Sequence, residues 1–240
     1  MLGPQHNVAW ASKGLETQSC KLLHQIALEE LPESTPLAVL SGPTFAKEVA
    51  QGLPGAVTIA STNKEFALEL ANDCHSKHFR AYTSSDIIGV EIGGAVKNVM
   101  AIAAGIADGL GFGSNTRAAL IARGVAEMQR LGLKLGAQHD TFMGLTGLGD
   151  LVLTCSDNQS RNRRFGLALG EGKTQQQALD DIQQVVEGRS TAKAVYQLAQ
   201  KHQINMPITE QVYKVLYEEL DAKEAAKTLM ERAVRAEIDS

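Results

Sequence analysis

Residues 79–110 have the sequence FRAYTSSDIIGVEIGGAVKNVMAIAAGIADGL. The opening four residues, Phe79 to Tyr82, have the pattern of a short β-strand. Strand patterns nearly vanish after Ser84. Ile87 to Leu110 is rich in glycine, alanine and branched apolar residues, which predicts one or two buried helices. The chain therefore changes from one kind of structure to another near residue 84.

Upstream of this point, short apolar runs alternate with helical patterns. The predicted strands cover residues 7–11, 37–40, 57–60 and 79–82, and the helical patterns cover 15–31, 44–48 and 65–74. Such alternation implies crossover units and a mostly parallel sheet. We expect residues 1–84 to form the later portion of a Rossmann-like, doubly wound sheet, with an exposed edge at its first strand and one uncovered face.

Downstream of residue 84 the patterns are helical. The predicted helices cover residues 116–135, 160–169, 191–201, 209–220 and 222–234, with Pro207 and Asp221 at helix boundaries. A GxGxG sequence at residues 109–113 follows a helix and lacks GxxG spacing, so we interpret it as an interhelical turn. The predicted fold class is α/β followed by all-α, with residues 85–240 as a helical substrate-binding and catalytic domain.

Composition excludes several classes of protein. The 240 residues contain 23 Lys and Arg against 27 Asp and Glu, a net charge of −4, which does not favour a nucleic-acid binder. The chain has an odd number of cysteines, Cys20, Cys74 and Cys155, and no CxxC motif. We therefore expect reduced thiols in a cytoplasmic protein. The first eight residues do not resemble a secretion signal.

Membrane and metal functions are not expected either. The most apolar stretch, Val99 to Ala107, is far shorter than a membrane span. The histidines show no metal-ligand spacing, because the closest pair, His75 and His78, has no third ligand nearby.

Lys97 is the first candidate for chemistry. Lys97 and Asn98 are the only polar residues between Ile92 and Ala107, and small residues flank Lys97 on its helical face at Gly93, Gly94 and Ala101. An amine desolvated there would have a lowered pKa, which suits proton transfer. The alternative is a lysine that extends from a helix interface to water.

Two further segments carry candidate side chains. Gly147-Leu148-Gly149-Asp150 predicts a tight turn whose carboxylate orients an ammonium or binds a hydroxyl, or else simply caps a helix. In Ser160-Arg161-Asn162-Arg163-Arg164, Ser160 fits a helix cap, and the first turn then offers free N–H groups and an arginine to a phosphate. A solvated basic face is the alternative for this segment, and a nucleic-acid patch is a weaker one.

Five segments together resemble the bacterial NAD(P)-dependent glycerol-3-phosphate dehydrogenases. The resemblance runs from about Trp10 to the C-terminal helices, and the order of the segments makes a chance match improbable. The segments are Trp10-Ala11-Ser12-Lys13-Gly14, Ser41-Gly42-Pro43-Thr44-Phe45-Ala46-Lys47-Glu48, Gly93-Gly94-Ala95-Val96-Lys97-Asn98, Gly147-Leu148-Gly149-Asp150-Leu151 and Asn158-Gln159-Ser160-Arg161-Asn162-Arg163-Arg164-Phe165-Gly166.

The resemblance implies reversible hydride transfer between dihydroxyacetone phosphate and sn-glycerol 3-phosphate, with NAD or NADP, for phospholipid synthesis. It also implies a cytoplasmic homodimer. Lys97 would be the general acid/base at the C2 oxygen, and Asp150 would hold its ammonium and the substrate hydroxyls. The implied substrate-binding residues are Lys13, Gly42, Thr44, Lys97, Asp150, Ser160, Arg161 and Asn162, and the implied cofactor-binding residues are Lys13, Ala46, Arg161, Val185 and Glu187.

One departure from the family pattern sets a further expectation. The family begins with a strand, GxGxxG and a helix, which position the cofactor pyrophosphate, and GxGxxG does not occur in these 240 residues. We therefore expect weak cofactor binding and little or no turnover. Two alternatives stay open: a non-catalytic dimerisation or phosphate-binding fragment, and a related dehydrogenase of the 6-phosphogluconate or ketopantoate type. The phosphate-directed residues 160–162 argue against the second.

Overall fold

The computed structural model describes residues 6–234 and 236–237, so most of the segment used to judge a secretion signal lies outside the described residues. Strands alternate with helices first, and helices follow. The first part contains β1 (Val8–Trp10), α1 (Leu23–Glu30), β2 (Leu37–Ser41), α2 (Ala46–Ala50), β3 (Gly55–Ser61), α3 (Lys64–Cys74) and β4 (Phe79–Ser84). The second part contains α4 (Ile87–Gly109), α5 (Ser114–Lys134), a 3₁₀ helix (His139–Met143), a π-helix (Leu145–Gly149), α6 (Asp150–Ser156), α7 (Arg161–Gly170), α8 (Gln175–Ile182), α9 (Glu187–Lys201), α10 (Pro207–Tyr217) and α11 (Ala222–Met230).

The sheet is mixed, in the order β1-β2-β3-β4. The pairs β1–β2 and β3–β4 are parallel as expected, but β2 and β3 are antiparallel. The physical reason lies in α2, whose five residues rise about 7.5 Å, against about 17 Å for a five-residue strand. This helix is too short to return the chain to the start of β2, so β3 runs back beside it.

Both faces of the central strands are covered, so the expectation of an uncovered face is wrong. One face packs against α3 and the other against the start of α4. The first cluster contains Ala38, Val57, Ile59, Phe66 and Ala71, and the second contains Val39, Ala60, Ile87 and Val90. The expected exposed edge is confirmed, because β1 pairs only with β2 in the described part of the chain and Ala9 is exposed.

The helix expected over residues 15–31 occupies only its second half. Upstream of α1, the Glu16 carboxylate accepts hydrogen bonds from the backbone N–H groups of Gln18 and Ser19, at 3.0 and 2.5 Å. Cys20 then adopts a left-handed conformation with φ +57°. Side-chain hydrogen bonds to nearby backbone give this segment an alternative to helix, although Leu15 and Leu22 still join the core.

The central helix α4 is one continuous helix of 23 residues, buried along almost all of its length. By length and composition this helix could cross a membrane. The apolar segment is therefore longer than the stretch Val99–Ala107 considered in the sequence. However, 89% of its most apolar window is buried inside the protein, as in the core helix of a folded domain. Helices α5, α6, α7 and α9 surround it.

Helices α4 and α7 pack backbone to backbone. A Cβ atom on Gly105 of α4 would lie 2.1 Å from the carbonyl oxygen of Arg163, and one on Gly166 of α7 would lie 2.1 Å from that of Ile102. Real Cβ atoms do not approach that closely, so both positions require glycine. This contact brings the first turn of α7 close to Lys97.

The C-terminal helices largely confirm the sequence interpretation. Pro207 is the first residue of α10, and the Asp221 side chain caps α11. The sequence did not predict α8, α6 or the two irregular helices. Residues 147–150 are not a tight turn, because the π-helix continues directly into α6 at Asp150.

Candidate functional site

A cleft of about 520 Å³ lies between the sheet and the helical body. Most of the side chains predicted for binding line it: Lys13, Thr44, Ala46, Lys97, Ser160, Arg161, Asn162 and Glu187. Gly42 lies just behind, with its carbonyl oxygen 3.5 Å from Lys13 Nζ. Val185 does not line the cleft, and the residue is 72% exposed.

Lys97 ends in a buried polar cluster. Its Nζ lies 2.5 Å from Asp150 Oδ1 and 3.1 Å from Thr154 Oγ1, and the residue is only 7% exposed. The side chain therefore does not extend past a helix interface to the outer surface. Burial lowers the pKa of Lys97 to about 8, against the opposing effect of the Asp150 charge.

Asp150 bridges two lysines from opposite sides of the cleft. Its Oδ1 contacts Lys97 of α4, and its Oδ2 lies 2.7 Å from Lys13 Nζ, in the segment that follows β1. The carboxylate is not a helix cap, since Gly149 holds the capping position and Asp150 is the first residue of α6. The Thr154 hydroxyl, one turn later, donates to the Asp150 carbonyl oxygen at 2.6 Å.

The small residues near Lys97 admit other chain segments. A Cβ on Gly93 would lie 2.7 Å from the carbonyl oxygen of Thr146, so its absence lets the π-helix approach α4. A Cβ on Gly94 would lie 3.1 Å from Ser41 Oγ and 3.4 Å from Lys13 Cγ. The two glycines thus let the Asp150 segment and Lys13, the other lysine that contacts Asp150, approach the helix face that carries Lys97.

The first turn of α7 forms the adjoining wall. Ser160 Oγ accepts a hydrogen bond from the backbone N–H of Arg163 at 3.2 Å, which confirms the predicted cap. Asn162 is buried, and its Oδ1 accepts from the Gly188 N–H of α9 at 2.8 Å. Arg161 is half-buried and faces the cleft. The burial of Asn162 and Arg163 excludes a fully solvated basic face.

The electrostatics of the cleft favour an anion. Lys13, Lys47, Lys97 and Arg161 line it, while Glu187 is the acidic residue among its lining side chains. A low-dielectric cleft with an excess of one charge concentrates ligands of the opposite sign. A phosphorylated substrate and a dinucleotide, both anionic, fit this donor set.

Sequence reasoning missed several cleft residues. They are Asn98, Thr154, Phe45, Lys47, Gln159 and Gln184. Thr154 is four residues after Asp150, a spacing that places both on one helical face, but this signal requires that α6 be recognised as a helix. Asn98 lies in a quoted motif, and its Nδ2 is 3.4 Å from Glu187 Oε2.

No group of three or more His, Cys, Asp or Glu side chains is placed to hold a metal ion within residues 6–234 and 236–237.

Comparison with known protein families identifies the class of protein first. A family model described as the C-terminus of NAD-dependent glycerol-3-phosphate dehydrogenase matches residues 86–227. The corresponding N-terminus model matches residues 1–67. Together these matches place the chain in the class of NAD-dependent dehydrogenases.

Individual relatives make the assignment specific. The glycerol-3-phosphate dehydrogenase [NAD(P)+] of Pseudoalteromonas translucida is 59% identical over 96% of this chain and 69% of its own length. The glycerol-3-phosphate dehydrogenase [NAD(P)+] of Colwellia psychrerythraea is 60% identical over 97% of this chain and 70% of its own length. The chain belongs to the family of NAD(P)-dependent glycerol-3-phosphate dehydrogenases, which decides against a 6-phosphogluconate or ketopantoate-type enzyme.

Solved structures of glycerol-3-phosphate dehydrogenases support the same family assignment. The crystal structure of the glycerol-3-phosphate dehydrogenase from Coxiella burnetii superposes with a TM-score of 0.93 at 51% identity and covers 96% of this chain and 70% of that one. The structure of the enzyme from Saccharomyces cerevisiae superposes with a TM-score of 0.83 at 27% identity, and the match covers 94% of this chain and 68% of that one. The chain thus spans about 70% of the length of the relatives it matches.

Proposed function

We propose that this chain serves reversible hydride transfer between dihydroxyacetone phosphate and sn-glycerol 3-phosphate, with NAD or NADP. The observation that carries the proposal is the buried Lys97–Asp150 pair in the wall of a cationic cleft. The division at residues 1–84 and 85–240, the homodimer and the cytoplasmic location are part of the proposal and stay predictions. Weak cofactor binding by the 240-residue chain also stays a prediction.

Lys97 is the proposed general acid/base. When bound, NAD(P)H would supply the hydride for C2 of dihydroxyacetone phosphate. The Lys97 ammonium gives its proton to the C2 oxygen, and in the reverse direction the neutral amine takes it back. A pKa of about 8 supports this role, since both protonation states are then accessible near neutral pH.

Asp150 is the proposed orienting group. With one oxygen on Lys97 and the other on Lys13, its carboxylate fixes the direction of the Lys97 ammonium and contacts both lysines, so the pair of lysines keeps a net positive charge. Thr154 adds a third contact at the amine. A proton donor held in one geometry transfers its proton more efficiently than a mobile one.

The phosphate of the substrate is proposed to bind at the first turn of α7. Free backbone N–H groups, the helix dipole and the Arg161 guanidinium favour an anion there. Ser160 and Asn162 complete this wall, with Lys13, Gly42 and Thr44 opposite. On the cofactor side, Lys13, Ala46, Arg161 and Glu187 line the cleft, which supports their predicted role; the role of Val185 stays a prediction.

Calorimetric titration of glycerol 3-phosphate into the 240-residue chain tests this assignment. We expect saturable binding that Arg161→Ala weakens by about tenfold or more, because a charge-assisted contact to the phosphate is lost. Arg80→Ala, at an exposed position on β4, is the matched control and should bind as the wild type does. Failure of the wild-type chain to bind would contradict the proposal, and equal affinity for inorganic phosphate would favour a phosphate-binding fragment.

A further inference from the structure

We propose that Arg163 is the positioning residue of the substrate site. Arg163 does not line the cleft, and its side chain is only 9% exposed. It follows directly after Arg161 and Asn162, the residues assigned to substrate contact. The inference rests on the proposed function, because it concerns how that site keeps its shape.

The guanidinium of Arg163 joins three helices. Its Nη2 lies 2.5 Å from Asp108 Oδ2, near the end of α4. Its Nε donates to the Cys155 carbonyl oxygen in the last turn of α6, at 3.1 Å. Its Nη1 donates to Asn158 Oδ1 in the turn between α6 and α7. One side chain of α7 therefore anchors α4, α6 and the connecting turn.

These three helices carry the proposed chemistry. Helix α4 carries Lys97, α6 begins with Asp150 and includes Thr154, and α7 begins with Arg161. A change in the position of the guanidinium would alter the distances between the proton donor, its orienting carboxylate and the phosphate site. Displacements of about 1 Å in a binding geometry can cost a factor of about one hundred in rate.

Geometry rather than charge explains why an arginine occupies this position. Asp108 has a second cationic partner, since Arg117 Nη1 lies 3.2 Å from the same Oδ2. The carboxylate would thus keep a cation without Arg163. Arg117 uses the rest of its guanidinium on Ser114 Oγ. The planar fork of Arg163 instead reaches the Cys155 carbonyl oxygen and Asn158 Oδ1. The backbone is equally constrained, because the Arg163 carbonyl oxygen lies against Gly105.

The test compares Arg163→Lys with Arg117→Lys. Both variants keep a positive charge near Asp108, but only the first removes the links to α6 and the connecting turn. Glycerol 3-phosphate binding is measured by calorimetry at a temperature where circular dichroism shows each variant folded. We expect Arg163→Lys to bind about tenfold more weakly or worse, and Arg117→Lys to stay within about twofold of the wild type.

The outcomes separate positioning from simple stability. Wild-type affinity in folded Arg163→Lys overturns the inference, even if its melting temperature falls, and so does an equal loss in Arg117→Lys. Where Arg163→Lys does not fold, Asn158→Ala takes its place, because it removes one guanidinium link of Arg163 and leaves both arginines on Asp108; it is expected to weaken binding in the same direction, and unchanged binding there overturns the inference. Failure of the wild-type chain to bind is a failure of the proposed function instead.

Discussion

The two sides of the cleft are built differently. On the helical side, Lys97 lies in the middle of an almost entirely buried helix, and α7 packs against that helix backbone to backbone. On the sheet side, Lys13 and Thr44 lie in half-buried connections that follow short strands. The lesson is that the proposed proton donor and phosphate site are held by core packing, while the facing groups are held by a few polar contacts.

The largest effect is expected where core packing holds the site. Gly105→Ala places a Cβ 2.1 Å from the Arg163 carbonyl oxygen, so α4 and α7 must separate. We expect a loss of about 3 kcal/mol or more in the free energy of unfolding, measured by urea denaturation. Gly113→Ala, which meets no atom within 4 Å, is the control. Similar stability in both variants would contradict the close packing.

A second prediction concerns the buried amine. The folded-state pKa of Lys97 is about 8, below the ordinary lysine value of 10.5, so between these values the unfolded chain holds more protons than the folded one. The free energy of unfolding should then rise with pH, by up to about 1.4 kcal/mol per unit from this group. Lys97→Met should remove this contribution in urea titrations at pH 8 and 9.5.

The control for the amine is Lys47→Met. Lys47 lines the same cleft but is exposed on α2, so its replacement should leave the pH dependence of the unfolding free energy unchanged. An unchanged slope in Lys97→Met would show that the buried lysine has an ordinary pKa.

The smallest effect is expected on the sheet side. Thr44 makes one weak contact, from its Oγ1 to the Gly42 carbonyl oxygen at 3.3 Å. Thr44→Ala should reduce affinity for glycerol 3-phosphate by about two- to fivefold and change stability by less than about 0.5 kcal/mol. Thr62→Ala, at an exposed position, serves as the control in the same titration. A loss as large as that of Arg161→Ala would show that the two sides contribute equally.

Apolar periodicity and helix capping, read from the sequence, correctly predicted a buried helix at α4 and the start of α7. The apolar composition of α4 predicted a buried helix around Lys97, and the Ser160 hydroxyl predicted the start of α7. These features depend on the period of apolar residues and on capping, both of which are visible in a short window.

Features that depend on distant segments were not predictable in this way. The roles of Thr154 and Arg163 appear only when α4, α6 and α7 come together. The Arg163–Asp108 contact, for example, joins residues 55 positions apart. Two local features were missed as well: the antiparallel β2–β3 pair, which follows from the short α2, and the non-helical residues 15–22, where the Glu16 carboxylate binds nearby backbone N–H groups.

The most direct test of the account is a single-turnover assay of wild-type and Lys97→Ala chains. The chain is held in excess over dihydroxyacetone phosphate, at a high concentration of NADPH or NADH so that weak cofactor binding does not hide turnover, and glycerol 3-phosphate binding is measured in parallel. Any substrate-dependent cofactor oxidation by the wild-type chain should disappear in Lys97→Ala, while glycerol 3-phosphate still binds. Equal oxidation by both chains would contradict the assignment of Lys97 as the proton donor.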